Sequence, residues 1–211
     1  MLYAVAFSAI QVLLIRYIWL RNGVLENGKG RADFIVSFGL WILAVIMNLL
    51  LFSRQYELIK CINLMMIYVI LAMAAGIDYK KYLIPNKLIL AGMAGRVLLL
   101  AAEAIGNRDT IKYTLILSCT GLILGLFFML FLTFITRRGI GYGDVKLFAW
   151  LGFSVGITDA YYILFYSVLF AAVTGVFLLA FHKADRKKKL PFAPFTFAGC
   201  YAVFVMSLLQ G

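Results

Sequence analysis

Histidine and cysteine are scarce, and their scarcity removes several chemistries at the outset. The 211 residues contain one histidine, His182. An HExxH zinc site needs two, so it is excluded. The three cysteines are Cys61, Cys119 and Cys200. All fall inside apolar runs and none forms a CxxC pair, so neither a zinc ribbon nor a disulfide framework is supported. Acids are few as well: 9 Asp and Glu stand against 20 Lys and Arg, for a net charge of +11. Such a basic balance raises nucleic acid as a partner. It is set aside, because the bases lie mostly in short loops between apolar runs, as membrane orientation demands.

Hydrocarbon dominates what remains. The chain is 64% hydrophobic, with a mean hydropathy of +0.99. Soluble domains are closer to about half apolar, so this sequence specifies an all-α, polytopic integral membrane helical bundle. Apolar runs of about 17–25 residues can cross a bilayer. They predict about eight transmembrane helices, near 2–20, 34–52, 58–77, 88–106, 113–136, 145–157, 160–181 and 194–210. The sixth is short. At about 1.5 Å per residue it reaches only about 20 Å, so it is expected to be partly re-entrant or to extend into its flanks. Before Arg21 there is neither a basic region nor a small-residue cleavage site, so the first run reads as a retained span.

Charge sets the orientation. With the N-terminus outside, the inner loops hold Arg21, Lys29 and Arg31, then Lys80, Lys81 and Lys87, then Arg137, Arg138 and Lys146, then Lys183 and Arg186 to Lys189. The outer side holds only Arg54, Lys60, Arg108 and Lys112. This asymmetry is a positive-inside signal, and eight crossings return both termini to the outside. The run from Lys183 to Lys189 is expected to face anionic lipid. Trp19 and Tyr56 are candidates for the interfacial aromatic belt. Gly121 and Gly125, four apart, can permit close helix packing. Arg96 and Glu103, about two turns apart, are placed to line a polar groove, although Arg96 has the alternatives of bonding a facing carbonyl or snorkelling.

One stretch stands out against the apolar background: Arg137-Arg138-Gly139-Ile140-Gly141-Tyr142-Gly143-Asp144-Val145-Lys146. Its three glycines leave the backbone free to adopt conformations that side chains resist. It delivers a carboxylate to the start of a hydrophobic segment, and ionisable groups at membrane depth are functional suspects. A second acid, Asp78, follows the third span and opens the loop through Ile84, Pro85 and Asn86. Two crossings separate Asp78 from Asp144, so both are expected at the same membrane edge. Paired carboxylates suit amide hydrolysis without a metal. Two that lie close cannot both ionise easily and share a proton. One then takes a proton from water while the other donates to the carbonyl. Pro85 suits a helix start, since its missing N–H would be an orphan there anyway.

A competing motif fails. Gly152-Phe153-Ser154-Val155-Gly156 matches GxSxG, but that motif needs a strand-to-helix elbow and a nearby base. Here it lies in a membrane span, with His182 expected near the opposite face. Ser154 is expected to be a packing residue that bonds a backbone carbonyl.

Gly141-Tyr142-Gly143-Asp144 with Val145-Lys146-Leu147 resembles the GxGD motif of the type IV prepilin peptidases. Asp78 with Ile84-Pro85-Asn86 resembles that family's first aspartate block. Pro191-Phe192-Ala193-Pro194-Phe195 and Gly199 resemble its last block, with Ala193 where glycine is common. The resemblance implies an aspartic endopeptidase of the cell (inner) membrane. It would clip the basic leader from prepilins or pseudopilins at the cytoplasmic face, with no cofactor and no metal. Asp78 and Asp144 match the catalytic aspartates. Gly141, Gly143, Lys146, Pro85 and Asn86 match supporting motif positions, and Lys146 is expected to bias the pair's ionisation or to anchor lipid phosphate. Residues 58–211 would form a six-helix catalytic core and residues 1–57 two preceding helices with a short cytoplasmic loop. Longer members carry a cysteine-rich cytoplasmic domain linked to zinc and N-methylation. Asn22 to Asp33 stands in that place without a cysteine, so methyltransferase activity is not expected. The alternatives are a small proton-coupled transporter and a catalytically silent pilus-assembly scaffold. Oligomeric state is left open.

Overall fold

The computed structural model describes residues 2–25, 31–53, 57–106, 110–135, 141–181 and 190–210. Among these residues there are eight helices and no strand: α1 (Leu2–Arg21), α2 (Arg31–Ser53), α3 (Leu58–Lys81), α4 (Asn86–Gly106), α5 (Ile111–Ile135), α6 (Tyr142–Val155), α7 (Ile157–Ala180) and α8 (Ala193–Gln210). Every predicted span has its helix. The basic run 183–189, His182, Arg137, Arg138, Lys29, Arg54, Tyr56 and Arg108 lie outside the described residues.

Among the described residues, four segments are long and apolar enough to cross a membrane: Leu58–Lys81, Asn86–Gly106, Ile111–Ile135 and Ile157–Leu178. Their outward faces carry large apolar side chains, among them Leu98, Ile105, Phe127 and Phe134. A bilayer can accept such a surface, because a helix satisfies its own backbone polar groups. Two shorter apolar stretches, Ile35–Leu49 and Ala193–Ser207, lie in α2 and α8. The sixth helix is 14 residues long, as short as the sequence suggested.

Two apolar clusters organise the bundle. One joins α1 and α2 to one face of α3 through Ile15, Trp19, Ala44, Tyr68, Ala72 and Ile77. The other gathers the opposite side of α3 with α4 to α8 around Ile67, Leu71, Leu147, Phe148, Trp150 and Leu151. Trp19 departs from its expected place in an interfacial belt. It is 5% exposed, its ring packs over Gly76, and its Nε1 donates to Met73 O at 3.3 Å. A glycine on the facing helix leaves room for an indole, so burial displaces the belt position.

Among the described residues, helix backbones touch directly where α5 meets α6. A Cβ at Gly152 would collide with the Gly121 carbonyl, and one at Gly125 would lie 2.7 Å from Phe148 O. The two glycines four apart in α5 are therefore the contact surface, because glycine lets helix backbones touch. Gly152 of the GxSxG match is spent on this contact. Ser154 Oγ donates to Trp150 O at 3.0 Å, the backbone bond expected of a packing residue. Gly156 turns the chain into α7 with φ +83°, a conformation that favours glycine.

Arg96 is buried and ion-paired with Glu103 at 2.9 Å, and it also donates to Ser118 Oγ at 3.3 Å. Both lie on a polar cavity with Glu57, Lys60, Asn63 and Asp159, as the groove reading anticipated. Removing one partner of a buried pair strands the other charge. Arg96→Ala is expected to cost about 3 kcal/mol, read as a lowered unfolding temperature in lipid nanodiscs. Glu103→Gln should cost less, since Glu103 is partly exposed and the amide oxygen keeps an acceptor for Arg96.

Candidate active site

At the other end of the bundle, α3 runs one turn past its apolar stretch. The sequence reading ended the span at Ile77 and began a loop at Asp78, whereas the helix continues to Lys81. The end of hydrocarbon marks where the bilayer stops, not where a backbone ladder must. Tyr82 closes the helix in the left-handed conformation, φ 52°, with its N–H on Asp78 O at 2.8 Å. Lys80 Nζ donates to Val24 O at 3.0 Å, tying this last turn to the segment after α1. Asp78 is therefore held on a helix and is only 5% exposed.

Its Oδ2 accepts the Ala193 N–H at 3.1 Å. Ala193 is the first residue of α8, so a helix N-terminus, with its positive end and free amides, points at the Asp78 carboxylate. The Pro191–Phe195 block supplies this contact, and Phe192 packs its ring against Phe148 of α6, centroids 5.9 Å apart. The resemblance singled out this block at the entry to the last helix, but not the contact it makes with Asp78.

Asp144 sits in the first turn of α6, 8% exposed. Gly141 is the N-cap, and its amide donates to the Asp144 side chain. That is the returning half of a capping box, formed by the third helical residue on the cap's backbone. The Asp144 Oδ1 atom is buried with no hydrogen-bond partner among the described residues. Burial foremost, then the nearby Asp78 carboxylate, push the Asp144 carboxyl up to about 7, against the pull of the Gly141 amide.

Asp78 and Asp144 line one cleft of about 360 Å³, together with Tyr82, Ile84, Asn86, Gly141 and Gly143. The glycines serve space more than backbone freedom. Gly141 has an ordinary extended backbone, φ −74°, and Gly143 is not among the positive-φ residues. A Cβ at Gly141 would lie 3.3 Å from Asp144 Oδ2, and one at Gly143 3.2 Å from the Ile84 Cβ. Gly143 thus lets the start of α6 close on the 83–85 segment, and Ile84 is buried beneath it. Pro85 immediately precedes α4, with its carbonyl accepting the Leu88 N–H at 3.0 Å. Lys146 Nζ donates to Asn86 Oδ1 at 3.1 Å, bridging α6 to the start of α4 at the cleft's exposed rim. Every site residue named from the sequence comes to this one end of the bundle. Among the described residues no three His, Cys, Asp or Glu side chains gather into a metal-sized cluster.

Comparison with known proteins bears on the same stretch of chain. The Type IV leader peptidase family matches residues 65–176, more than half of the sequence. The chain belongs to this family. It is 29% identical over 154 residues to a prepilin leader peptidase/N-methyltransferase of Bacillus subtilis, covering 73% of this chain and 58% of that protein. It is 33% identical over 134 residues to the protein of that name from Legionella pneumophila, covering 61% and 44%. With the Aeromonas hydrophila protein it shares 30% identity over 120 residues, covering 56% and 40%. The chain thus spans about half the length of the curated relatives it matches. No solved structure gives a significant match.

Proposed function

We propose that this protein is an aspartic endopeptidase of the cell membrane that removes the basic leader from type IV prepilins or pseudopilins, with Asp78 and Asp144 as its catalytic pair. The observation that carries the reading is that both acids line one cleft, beside a bundle suited to a bilayer. The asymmetry of basic residues supports a cytoplasmic position for that cleft, and hence an inner-membrane, multi-pass arrangement with both termini outside. Residues 58–211 then form the catalytic core, with α1 and α2 as an accessory hairpin. The reading extends to peptide cleavage and not to methyl transfer.

The two carboxyls have different surroundings, and that divides their roles. Burial raises the Asp78 carboxyl as well, but the Ala193 and Phe192 amides at the N-terminus of α8 oppose that rise by stabilising its charged form. Asp144 is buried with one oxygen unpaired, a setting that favours its protonated form. Asp78 takes a proton from water as the water oxygen attacks the scissile carbonyl. Asp144 gives its proton to the carbonyl oxygen. Collapse of the tetrahedral adduct breaks the C–N bond, returns the oxygen's proton to Asp144 and passes the proton on Asp78 to the leaving amine. Lys146, held by Asn86, fixes the rim of the cleft.

This scheme needs exactly one proton on the pair, so activity should be bell-shaped in pH. Because burial and the Asp78 charge push the Asp144 carboxyl up to about 7, leader release should fall as pH rises through that region, by about tenfold per unit beyond it. Mass spectrometry of a prepilin's new N-terminus, after incubation with the purified full chain across pH, tests both cleavage and profile. Absence of any leader release, or a rate still climbing above pH 8, would overturn the reading.

A proton-coupled transporter built on the same acids would need a polar route through the bundle. The side chains of α6 between Asp144 and Ser154 include buried Val145, Leu147, Phe148, Trp150 and Leu151. These favour a cleft with a closed floor, which suits the peptidase.

A further inference from the structure

A second depression adjoins the cleft. It is a trough of about 480 Å³ between α4 and α6, with Leu126 of α5 also lining it. Its α4 wall carries Ile89, Leu90 and Met93, and its α6 wall Val145 and Ala149. Asn86 lines both the trough and the acid cleft. The Lys146–Asn86 bond stands where the two meet, and these residues and Lys87 are the polar members of the trough's lining.

Three features give this trough the shape of a helix site. First, α4 and α6 both start at the acid end and run away from it. A third helix lying between them would leave the cleft and pass along the bundle. Second, Ile89 with Met93 and Val145 with Ala149 are i,i+4 pairs, each forming one ridge on its helix, and ridges of this spacing receive those of another helix. Third, Ala149 is small, which lets a neighbouring backbone approach closely, as helices in lipid require. The trough opens one residue from Asp144, at Val145. From Asn86 to Met93 it extends seven residues, or about 10 Å along α4.

We infer that the trough between α4 and α6 receives part of the substrate, an apolar helical segment that begins just past the scissile bond. The inference rests on the peptidase reading of the cleft and adds a partner surface to it. The first two turns after the cut lie against Ile89, Leu90, Met93, Val145 and Ala149, and this contact sets the scissile bond over the two carboxyls. Recognition of the apolar segment is thereby separate from chemistry.

The test uses the full chain in lipid nanodiscs and two synthetic peptides. Both carry a basic leader and the cleavage site. One continues into a 20-residue apolar segment, as long as a span needs to be, and the other stops shortly after the cut. Leu90 is 70% exposed, so Leu90→Trp should fold normally while filling the trough. It is expected to raise KM for the long peptide about tenfold with kcat within about twofold, the mark of lost binding rather than lost chemistry. The ratio kcat/KM for the short peptide should stay unchanged. A photo-crosslinking residue in place of Leu90, in an Asp144→Asn background, should attach to the first two turns of the apolar segment. An unchanged KM for the long peptide, or crosslinks to lipid alone, would overturn the inference and leave the dyad untouched. Cleavage persisting in the Asp144→Asn chain would sink the dyad while the crosslink still reported on the trough.

Discussion

Asp144→Asn and Asp78→Asn are each expected to lower leader release by about a thousandfold or more, because each removes a proton-transfer partner for which the cleft offers no substitute. Asparagine keeps the local structure in both places. At 144 its amide oxygen can accept the Gly141 N–H as the carboxylate does. At 78 it can accept the Ala193 N–H that now lies 3.1 Å from Oδ2. Neither variant should therefore lose its fold, and the unfolding temperature in nanodiscs should change little. Asp159→Asn is the matched control. It alters a partly buried acid on the polar cavity at the opposite end of the bundle, so cleavage should persist at the normal rate. Peptide mass spectrometry reads all three variants. Either dyad variant retaining a tenth of normal activity would refute the assignment of Asp78 and Asp144.

Gly152→Ala is expected to be the most damaging small substitution in the bundle. The added methyl would meet the Gly121 carbonyl, a backbone atom that no rotamer change can move. Helices α5 and α6 would have to separate, at a cost of about 3 kcal/mol, the upper part of the usual range for overpacking. The damage should also reach the cleft, since α6 carries Asp144 at its first turn. Gly39→Ala provides the contrast. A Cβ there meets nothing within 4 Å, and alanine favours a helix interior by about 1 kcal/mol over glycine, so that variant should be neutral or slightly more stable. Thermal inactivation of the two variants, measured side by side, separates close packing from helix propensity. Equal midpoints would show that the glycine contact contributes nothing.

The extent to which the fold could be read beforehand differs from one element to the next. Apolar runs located all eight helices, because hydrocarbon length is a linear property of the chain. Counting crossings was enough to bring Asp78 and Asp144 to one end, since each span reverses direction. Arg96 and Glu103 were placed on one polar groove for a related reason, that residues seven apart share a helix face, but their ion pair emerges only in the structure. Trp19 was misplaced because its burial depends on Gly76, 57 positions away, leaving room on another helix. The Ala193 amide on Asp78 was missed because the two lie 115 residues apart, and nothing local marks a backbone donor.

Linear pattern therefore established a helical membrane protein, the position of its helices and the end of the bundle where two acids gather. Three-dimensional packing decided the rest. It set the α5–α6 glycine contact that carries Asp144, the α8 N-terminus that holds Asp78, and the apolar trough that leads away from both. The division follows from range: hydropathy and helix period act between near neighbours in the chain, whereas backbone contact, burial and a helix terminus aimed at a carboxylate exist only once distant segments have met.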